Sequence, residues 1–152
     1  MGKAIRMREV IQSMFIFTVS LQKIADRVLR SEIGLTLSQF RMLMVIDRHP
    51  GSSQKCVADF WGVEEASVSR QIDILAKKKF VVRTTSARSK REHILALTKG
   101  GKRMLGKAIA AIDRQSENMF GTVTQKQRRD LSVRLEQLLL GVKHERESVH
   151  AH

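Results

Sequence analysis

Hydrophobic residues at helical spacing dominate both ends of the chain. Between Val10 and Val28 apolar residues recur every three or four positions. A second stripe lies beside the first and consists of Ile11, Phe15, Thr18, Ala25 and Leu29. A helix at the edge of a small domain needs one apolar face, so the second stripe predicts contact with another subunit. Two more apolar helices follow near the end, the first capped by Thr98 and the second opened by a capping box of Thr124 and Gln127. The residues that we assign to a homodimer interface are Val10, Met14, Phe17, Leu131, Leu135 and Leu138.

The middle of the chain has the pattern of a helix-turn-helix motif. A capping box of Thr36 and Gln39 opens one helix, and a shorter helix is expected from about Ser53 to Phe60. Gly62 then makes a tight turn, and a third helix runs from about Glu64 to Lys79. The predicted core face of this third helix consists of Val68, Ile72 and Leu75. Helix, glycine turn and helix in this order predict a DNA-binding motif.

The exposed edge of the third helix offers hydroxyl groups and a guanidinium. These groups suit base edges and phosphates, and the placement of the helix in the motif favours this interpretation over an ordinary solvated face. The start of the second helix offers further polar groups for phosphate. The predicted DNA contacts are Ser67, Ser69 and Arg70 on the third helix and Ser53 and Gln54 on the second.

After Phe80 the pattern changes to the period of two that is typical of strands. Apolar and polar residues alternate over 81–84, a polar basic stretch follows, and apolar residues resume at 94–97. The sequence therefore predicts a two-stranded hairpin with a long cationic tip. Between Lys77 and Arg103 ten lysines and arginines oppose one acid, Glu92. Arginines on a projecting hairpin can enter the minor groove, and the predicted contacts there are Arg88, Lys90 and Arg91.

Charge and composition exclude several classes of function. A formal net charge of +13 over 152 residues favours a polyanionic partner, for which double-stranded DNA is the leading candidate. No apolar stretch approaches the roughly 20 residues that span a bilayer, and the first residues make a poor signal peptide, so we expect a cytoplasmic protein without a membrane partner. A single cysteine, Cys56, excludes a disulfide framework and a zinc finger, and we expect it to be partly buried.

No catalytic or metal constellation is apparent. The histidines are dispersed, no nucleophile lies in a recognisable elbow, and no glycine-rich phosphate loop follows a strand. We therefore predict a binding protein with no catalytic residues, no metal and no cofactor. The paired acids Glu64 and Glu65 suit a helix N-terminus, and we interpret them as facing away from DNA rather than reading a cytosine amino group.

The chain resembles the MarR (multiple antibiotic resistance regulator) type of winged-helix transcription factors over nearly its whole length. The resemblance includes the opening at 35–40, the break at 49–51, the segment 63–80 with its Ser-Val-Ser-Arg core, and the Leu-Thr-x-x-Gly junction at 97–101. It implies a mainly α fold with a small β-hairpin wing and dimerisation through the terminal helices. It also implies that Arg88 enters the minor groove and that Arg91 pairs with a wing acid. Here Ser86 replaces that acid, which favours phosphate attraction over a fixed wing geometry.

The sequence thus predicts a single domain over 1–152, with a DNA-binding lobe at 36–97, a helical dimerisation region at 1–34 and 98–142, and a flexible tail at 143–152. The function we predict is a homodimeric, sequence-specific transcriptional regulator, a repressor, on a palindromic operator with half-sites about 10 bp apart. Many relatives respond to small aromatic or amphipathic effectors, and no ligand residues are assigned. Two alternatives stay open: an architectural, largely sequence-independent DNA-binding protein, and an interaction module that packs on an acidic protein.

Overall fold

The computed structural model describes residues 5–85 and 93–149. Six α-helices run along them: α1 (Met7–Val28), α2 (Leu37–Arg48), α3 (Gln54–Trp61), α4 (Glu65–Lys77), α5 (Lys99–Phe120) and α6 (Gln125–Val149), with a π-helical turn, Leu29–Ile33, directly after α1. Strands β1 (Val81–Thr85) and β2 (His93–Leu97) pair antiparallel, with Val81 opposite Leu97. The predicted fold class, mainly α with a small hairpin wing, is confirmed. The chain forms two compact units, 1–115 and 116–152.

A single apolar core holds the first unit together. The predicted core face of α4 is confirmed, since Val68, Ile72 and Leu75 are all at most 1% exposed. These side chains pack with Leu43 of α2 and Leu95 of β2, both 0% exposed. Each fully buried residue of this size stabilises the fold by roughly 1.5–3 kcal/mol. The face of α4 that enters the core therefore decides which face is left for another molecule.

Local capping signals start the lobe helices where the sequence predicts. Gln39 N donates to Thr36 Oγ1 at 3.1 Å, and Thr36 N donates to Gln39 Oε1 at 3.2 Å, which completes the capping box of α2. A second acceptor comes from α1, because Asp26 Oδ1 accepts from Leu37 N at 2.8 Å. This backbone hydrogen bond, together with the Arg30 guanidinium, lowers the pKa of the Asp26 carboxyl. Gly62, with a φ of 62°, makes the predicted turn between α3 and α4.

The junction of hairpin and α5 explains the glycine in the Leu-Thr-x-x-Gly motif. Thr98 caps α5 by accepting from Gly101 N at 2.9 Å, and its hydroxyl donates to Lys79 O at 2.7 Å. A Cβ on Gly101 would lie 2.0 Å from Phe80 O, which no side chain tolerates. This close backbone approach fixes the start of α5 against the chain that enters β1.

In the second unit, a bidentate ion pair braces the turn before α6. Arg128 donates to the two carboxylate oxygens of Glu117 at 2.6 and 2.9 Å and to Val123 O at 2.9 Å. The hydrogen bond from Arg128 lowers the pKa of Glu117. The capping box of Thr124 and Gln127 is present, with bonds of 2.9 and 3.3 Å.

Helix α6 continues through Val149, so its last part lies in the segment 143–152 that the sequence analysis assigns to a flexible tail. The flexibility of that segment stays a prediction. The segment 143–149 contains Lys, His, Glu, Arg, Glu, Ser and Val, without proline or glycine. Polar composition led the sequence analysis to a flexible tail from residue 143, whereas these residue types continue a helix once it has started.

Candidate nucleic-acid interface

Helix α4 presents a polar outer face because its opposite face is packed in the core. With 3.6 residues per turn, Arg70 lies about 200° from Val68, nearly opposite the buried stripe. Arg70 is exposed, and Ser69 is half-buried on the flank of the helix. The structure therefore places the guanidinium of Arg70 on the outside of the helix-turn-helix motif, as the sequence analysis predicts.

Ser67 lies on the other flank of α4, in a small cleft against α2. The cleft has a volume of about 50 Å³ and is also lined by Ser38, Arg41, Trp61 and Gln71. The three predicted α4 residues thus do not share one edge, because residues two positions apart on a helix face nearly opposite directions. Gln71 Oε1 is buried in the structure and accepts no hydrogen bond from the described residues.

Arg41 is a candidate contact that the sequence analysis missed. Its guanidinium carbon lies 5.0 Å from the centroid of the Trp61 ring, and Trp61 Nε1 donates to Arg41 O at 3.4 Å. Among residues 5–85 and 93–149, Arg41 takes part in none of the ion pairs. The only indication of this role in the sequence was the position of Arg41, a cationic residue, among the apolar core residues of α2. The stacking holds this cation beside Ser67.

The predicted phosphate groups at the start of α3 are already engaged within the protein. Ser53 Oγ caps the helix by accepting from Cys56 N at 3.2 Å. Gln54, with its amide oxygen turned to Arg83, accepts from Nε at 3.1 Å and from Nη2 at 2.7 Å. The hydroxyl hydrogen of Ser53 and the amide nitrogen of Gln54 are left as donors.

The expectation that Cys56 is partly buried is wrong, since its side chain is exposed. Val57 and Ala58, the next two residues of α3, are the ones that enter the core, at 0% and 3% exposure. Helical geometry turns the residue before Val57 about 100° away from it, which brings the thiol to the surface.

The base of the wing is described, and its tip is not. Arg83 Nη1 on β1 lies 2.6 Å from Asp73 Oδ1 on α4, so one cation of the basic run is paired with an acid that the sequence analysis did not single out. The tip residues Ser86, Arg88, Lys90 and Arg91 lie outside the described residues. Their predicted roles stay predictions.

Helix α1 exposes a different apolar stripe from the one assigned to the dimer. Val10 and Met14 are half-buried within one copy of the chain, and Phe17 is 51% exposed. The first half of the second stripe is more open, with Ile11 45% and Phe15 69% exposed, and Ile16 beside it is 70% exposed. Surfaces of this kind mark contact sites for another protein. The first half of the second stripe, together with Ile16, is therefore the better candidate for contact with a second copy.

Helix α6 is rich in charged residues but carries exposed apolar side chains between residues 131 and 142. Of the assigned dimer residues, Leu131 is 55% exposed, Leu135 is 37% exposed and Leu138 is half-buried. Further exposed apolar residues that were not assigned are Val133, Leu139, Leu140 and Val142.

Other classes of site find no support in the described part of the chain. No group of three or more His, Cys, Asp or Glu side chains there is arranged to hold a metal ion. Over the same residues, no helix is both long and apolar enough to cross a membrane.

Comparison with known proteins agrees with this geometry. Residues 33–92 match the model of the MarR family. A protein of Thauera aromatica named as a transcriptional regulatory protein for the hcr operon is 29% identical over 102 residues, or 67% of this chain. The matched region spans 61% of that relative's length.

Solved structures of transcriptional regulators share the fold of nearly the whole chain. BldR from Sulfolobus solfataricus has a TM-score of 0.81 at 19% identity, covering 91% of this chain and 98% of BldR. The transcriptional repressor CouR, bound to a 23-mer DNA duplex, has a TM-score of 0.72 at 22% identity over 91% of this chain and 99% of CouR. Residues 33–92 are thus similar to the MarR family, and nearly the whole chain has the winged-helix fold of these solved structures.

Proposed function

We propose that the chain is a homodimeric, sequence-specific DNA-binding transcriptional regulator. The observation that carries the proposal is the outer face of α4: Arg70 is exposed opposite a stripe of core residues, in a chain of formal net charge +13. An arginine on a rigidly packed helix suits bidentate recognition of a guanine edge or a phosphate. CouR, of the same fold, is a repressor bound to DNA, which supports the same partner here.

Each α4 would enter a major groove, with Ser69 and Arg70 directed at base edges or nearby phosphates. Arg41, held over Trp61 beside Ser67, is suited to a phosphate on the flank of the helix. The wing arginines Arg88 and Arg91, with Lys90, would follow the adjacent minor groove, as the family resemblance implies.

The exposed apolar faces support a dimer. Helices α1 and α6 each carry several large apolar side chains that are more than a third exposed in one copy of the chain. A second copy would remove these surfaces from water and present two recognition helices to successive grooves of a palindromic operator.

Repression and release by a small aromatic or amphipathic effector complete the proposal. An effector that binds one spacing of the two recognition helices better than the other would shift the population away from DNA binding. The test is loss of operator binding on addition of an effector, and a flat response across a broad aromatic library would count against this part.

The DNA-binding proposal is tested by mobility-shift titration at two salt concentrations. The duplexes are the DNA upstream of the gene for this chain and a random duplex of equal length. Wild type is compared with Arg70→Ala and with Lys107→Ala, which removes one charge from an exposed position of α5. We expect preference for the upstream DNA, a loss of about 1–3 kcal/mol of that preference in Arg70→Ala, and little loss of preference in Lys107→Ala.

The other outcomes separate the alternatives. Equal, salt-sensitive binding to both duplexes would favour the architectural DNA-binding protein, for which the high net charge is the supporting observation. Absence of binding to either duplex would overturn the DNA proposal and favour the interaction module.

A further inference from the structure

Arg83 on strand β1 is held by two helices at once. Its Nη1 lies 2.6 Å from Asp73 Oδ1 on α4. With the Gln54 amide oxygen oriented toward Arg83, as the hydrogen-bonding pattern around the amide requires, Gln54 on α3 accepts from Nε at 3.1 Å and from Nη2 at 2.7 Å. The planar guanidinium has donors in a fixed fork, so a single side chain can join two acceptors on different elements. We call the three residues Gln54, Asp73 and Arg83 the wing clamp.

The two strands of the wing are anchored in different ways. Strand β2 is tied to the segment before α3 by its backbone, since Leu95 N donates to Ser52 O at 2.9 Å and Gly51 N donates to Leu95 O at 3.3 Å. Strand β1 buries only Val81, its first residue, and the four that follow are exposed. Packing therefore does not hold the outer part of β1, whereas the wing clamp acts in its middle.

The wing clamp connects the two parts that must fit one DNA site. Asp73 is one turn beyond Arg70 on α4, and Arg83 is on the strand that leads to the wing arginines. The family resemblance implies an acid in the wing as a partner for Arg91, and this chain has Ser86 instead. The clamp is a different ion pair, at the base of the hairpin rather than near its tip.

We propose that the wing clamp positions the wing relative to the recognition helix and so sets the preference for one DNA sequence over another. Arg83 and Asp73 are then positioning residues, and Arg83 does not act as a phosphate contact. This inference rests on the proposed function, because it concerns how two DNA-reading elements are aligned.

The substitution Asp73→Asn distinguishes a positioning role of Arg83 from direct attraction between the charge of Arg83 and the DNA phosphates. If Arg83 served as a phosphate contact, removal of the neighbouring acid would raise the affinity for every duplex. If the clamp positions the wing, the same substitution lowers the preference for the specific site, while the affinity for random DNA stays the same or rises. Asp59→Asn is the matched control, since Asp59 is an exposed acid on α3 that forms none of the ion pairs in the described residues.

The experiment measures two quantities for each variant of the full chain. The first is the ratio of affinities for a duplex enriched from a random pool and for a random duplex. The second is hydrogen exchange of the amides in 81–85 and 93–97 without DNA. For Asp73→Asn we expect a loss of about threefold to tenfold in the affinity ratio and faster exchange in these strands. Arg83→Lys should behave similarly, because lysine lacks the bidentate fork.

The charge-reversed pair Asp73→Arg with Arg83→Asp tests the contact itself. It keeps the net charge of the wild type, and we expect it to recover part of both the affinity ratio and the strand protection. Recovery in the double variant, with losses in each single variant, is a coupling that independent structural damage does not produce.

Three results would overturn the inference: an unchanged affinity ratio in Asp73→Asn, an equal loss in Asp59→Asn, or higher affinity of Asp73→Asn for all duplexes with an unchanged ratio. Failure of the proposed function is a different result, in which the wild type itself shows no preference for any duplex. In that case hydrogen exchange still reports whether the clamp orders the wing.

Discussion

The winged-helix lobe and the last helix use apolar residues in opposite ways. In the lobe, Leu43, Ile72 and Leu95 are fully buried in one copy of the chain. In α6, Leu139, Leu140 and Val142 are 66%, 58% and 58% exposed. The lobe therefore carries its own hydrophobic stabilisation, whereas the exposed apolar side chains of α6 are left for contact with another surface. A protomer of this kind has a complete apolar core in the winged-helix lobe and unburied apolar side chains on α6.

The lobe and the exposed helix faces should therefore respond differently to substitution. Substitutions in the lobe should lower the free energy of unfolding of each protomer at any protein concentration. Substitutions on the exposed faces of α1 and α6 should change association instead, with an effect that depends on concentration.

The largest effect is expected from Gly101→Ala in the lobe. The added Cβ would meet Phe80 O at 2.0 Å, so the backbone at the junction of hairpin and α5 must move. We expect a loss of about 4 kcal/mol in the free energy of unfolding, measured by denaturant titration, or failure to fold. Gly100→Ala is the matched control, because its nearest contact is 3.5 Å and the helix should tolerate alanine. Equal stability of both variants would contradict the close approach.

The second-largest effect is expected from truncation of a buried side chain in the lobe. Ile72→Ala removes a fully buried side chain of α4 and should cost about 3 kcal/mol in unfolding free energy. Leu139→Ala truncates a residue that is 66% exposed and should leave the stability of the protomer within about 0.5 kcal/mol. Chemical unfolding at low protein concentration compares the two. A loss in Leu139→Ala as large as that in Ile72→Ala would break the distinction between the regions.

Association is the test for the exposed stripe of α1. Phe15→Glu with Ile16→Glu places two charges on side chains that are 69% and 70% exposed, so the protomer should fold normally. If a second copy covers this stripe, dimerisation should weaken at least about tenfold, the equivalent of ~1.4 kcal/mol. Sedimentation over a range of concentrations measures this, with Phe15→Leu as the conservative control. An unchanged dimer would exclude the stripe from the interface.

The smallest effect concerns acid sensitivity at the start of α2. The pKa of Asp26 is lowered from its ordinary value of 3.8 by the hydrogen bond from Leu37 N and by Arg30. The folded state therefore favours the carboxylate, and this contribution is present above about pH 4 and lost as the pH falls through the lowered pKa. Asp26→Asn should flatten the fall in stability below pH 4, measured by thermal unfolding at several pH values. An identical acid profile in both proteins would show that the carboxylate contributes nothing.

Sequence reasoning succeeded where both partners of an interaction lie within one turn of the chain. The capping boxes of α2 and α6, the Thr98 cap and the Gly62 turn all satisfy this condition, because residue type and spacing specify them locally. The core face of α4 was predictable for the same reason, since helical periodicity alone identifies it.

The missed features join residues that are distant in sequence. Arg83 and Asp73 could not be paired without knowing that β1 returns along α4, and no pattern indicated that Arg41 stacks on Trp61. Hydrophobic periodicity also identified two apolar stripes on α1, but it did not indicate which of them is more exposed. The ranking by exposure required the packing of the first unit.

By itself, the sequence determined the order and type of the elements, the basic character of the hairpin and the presence of more apolar surface than one copy buries. These properties follow from residue type at local spacing. The tertiary structure alone decided that Arg83 is paired with Asp73 and that Gly101 lies against Phe80. Such properties depend on which segments pack against each other in the folded chain, and the local residue pattern does not specify these contacts.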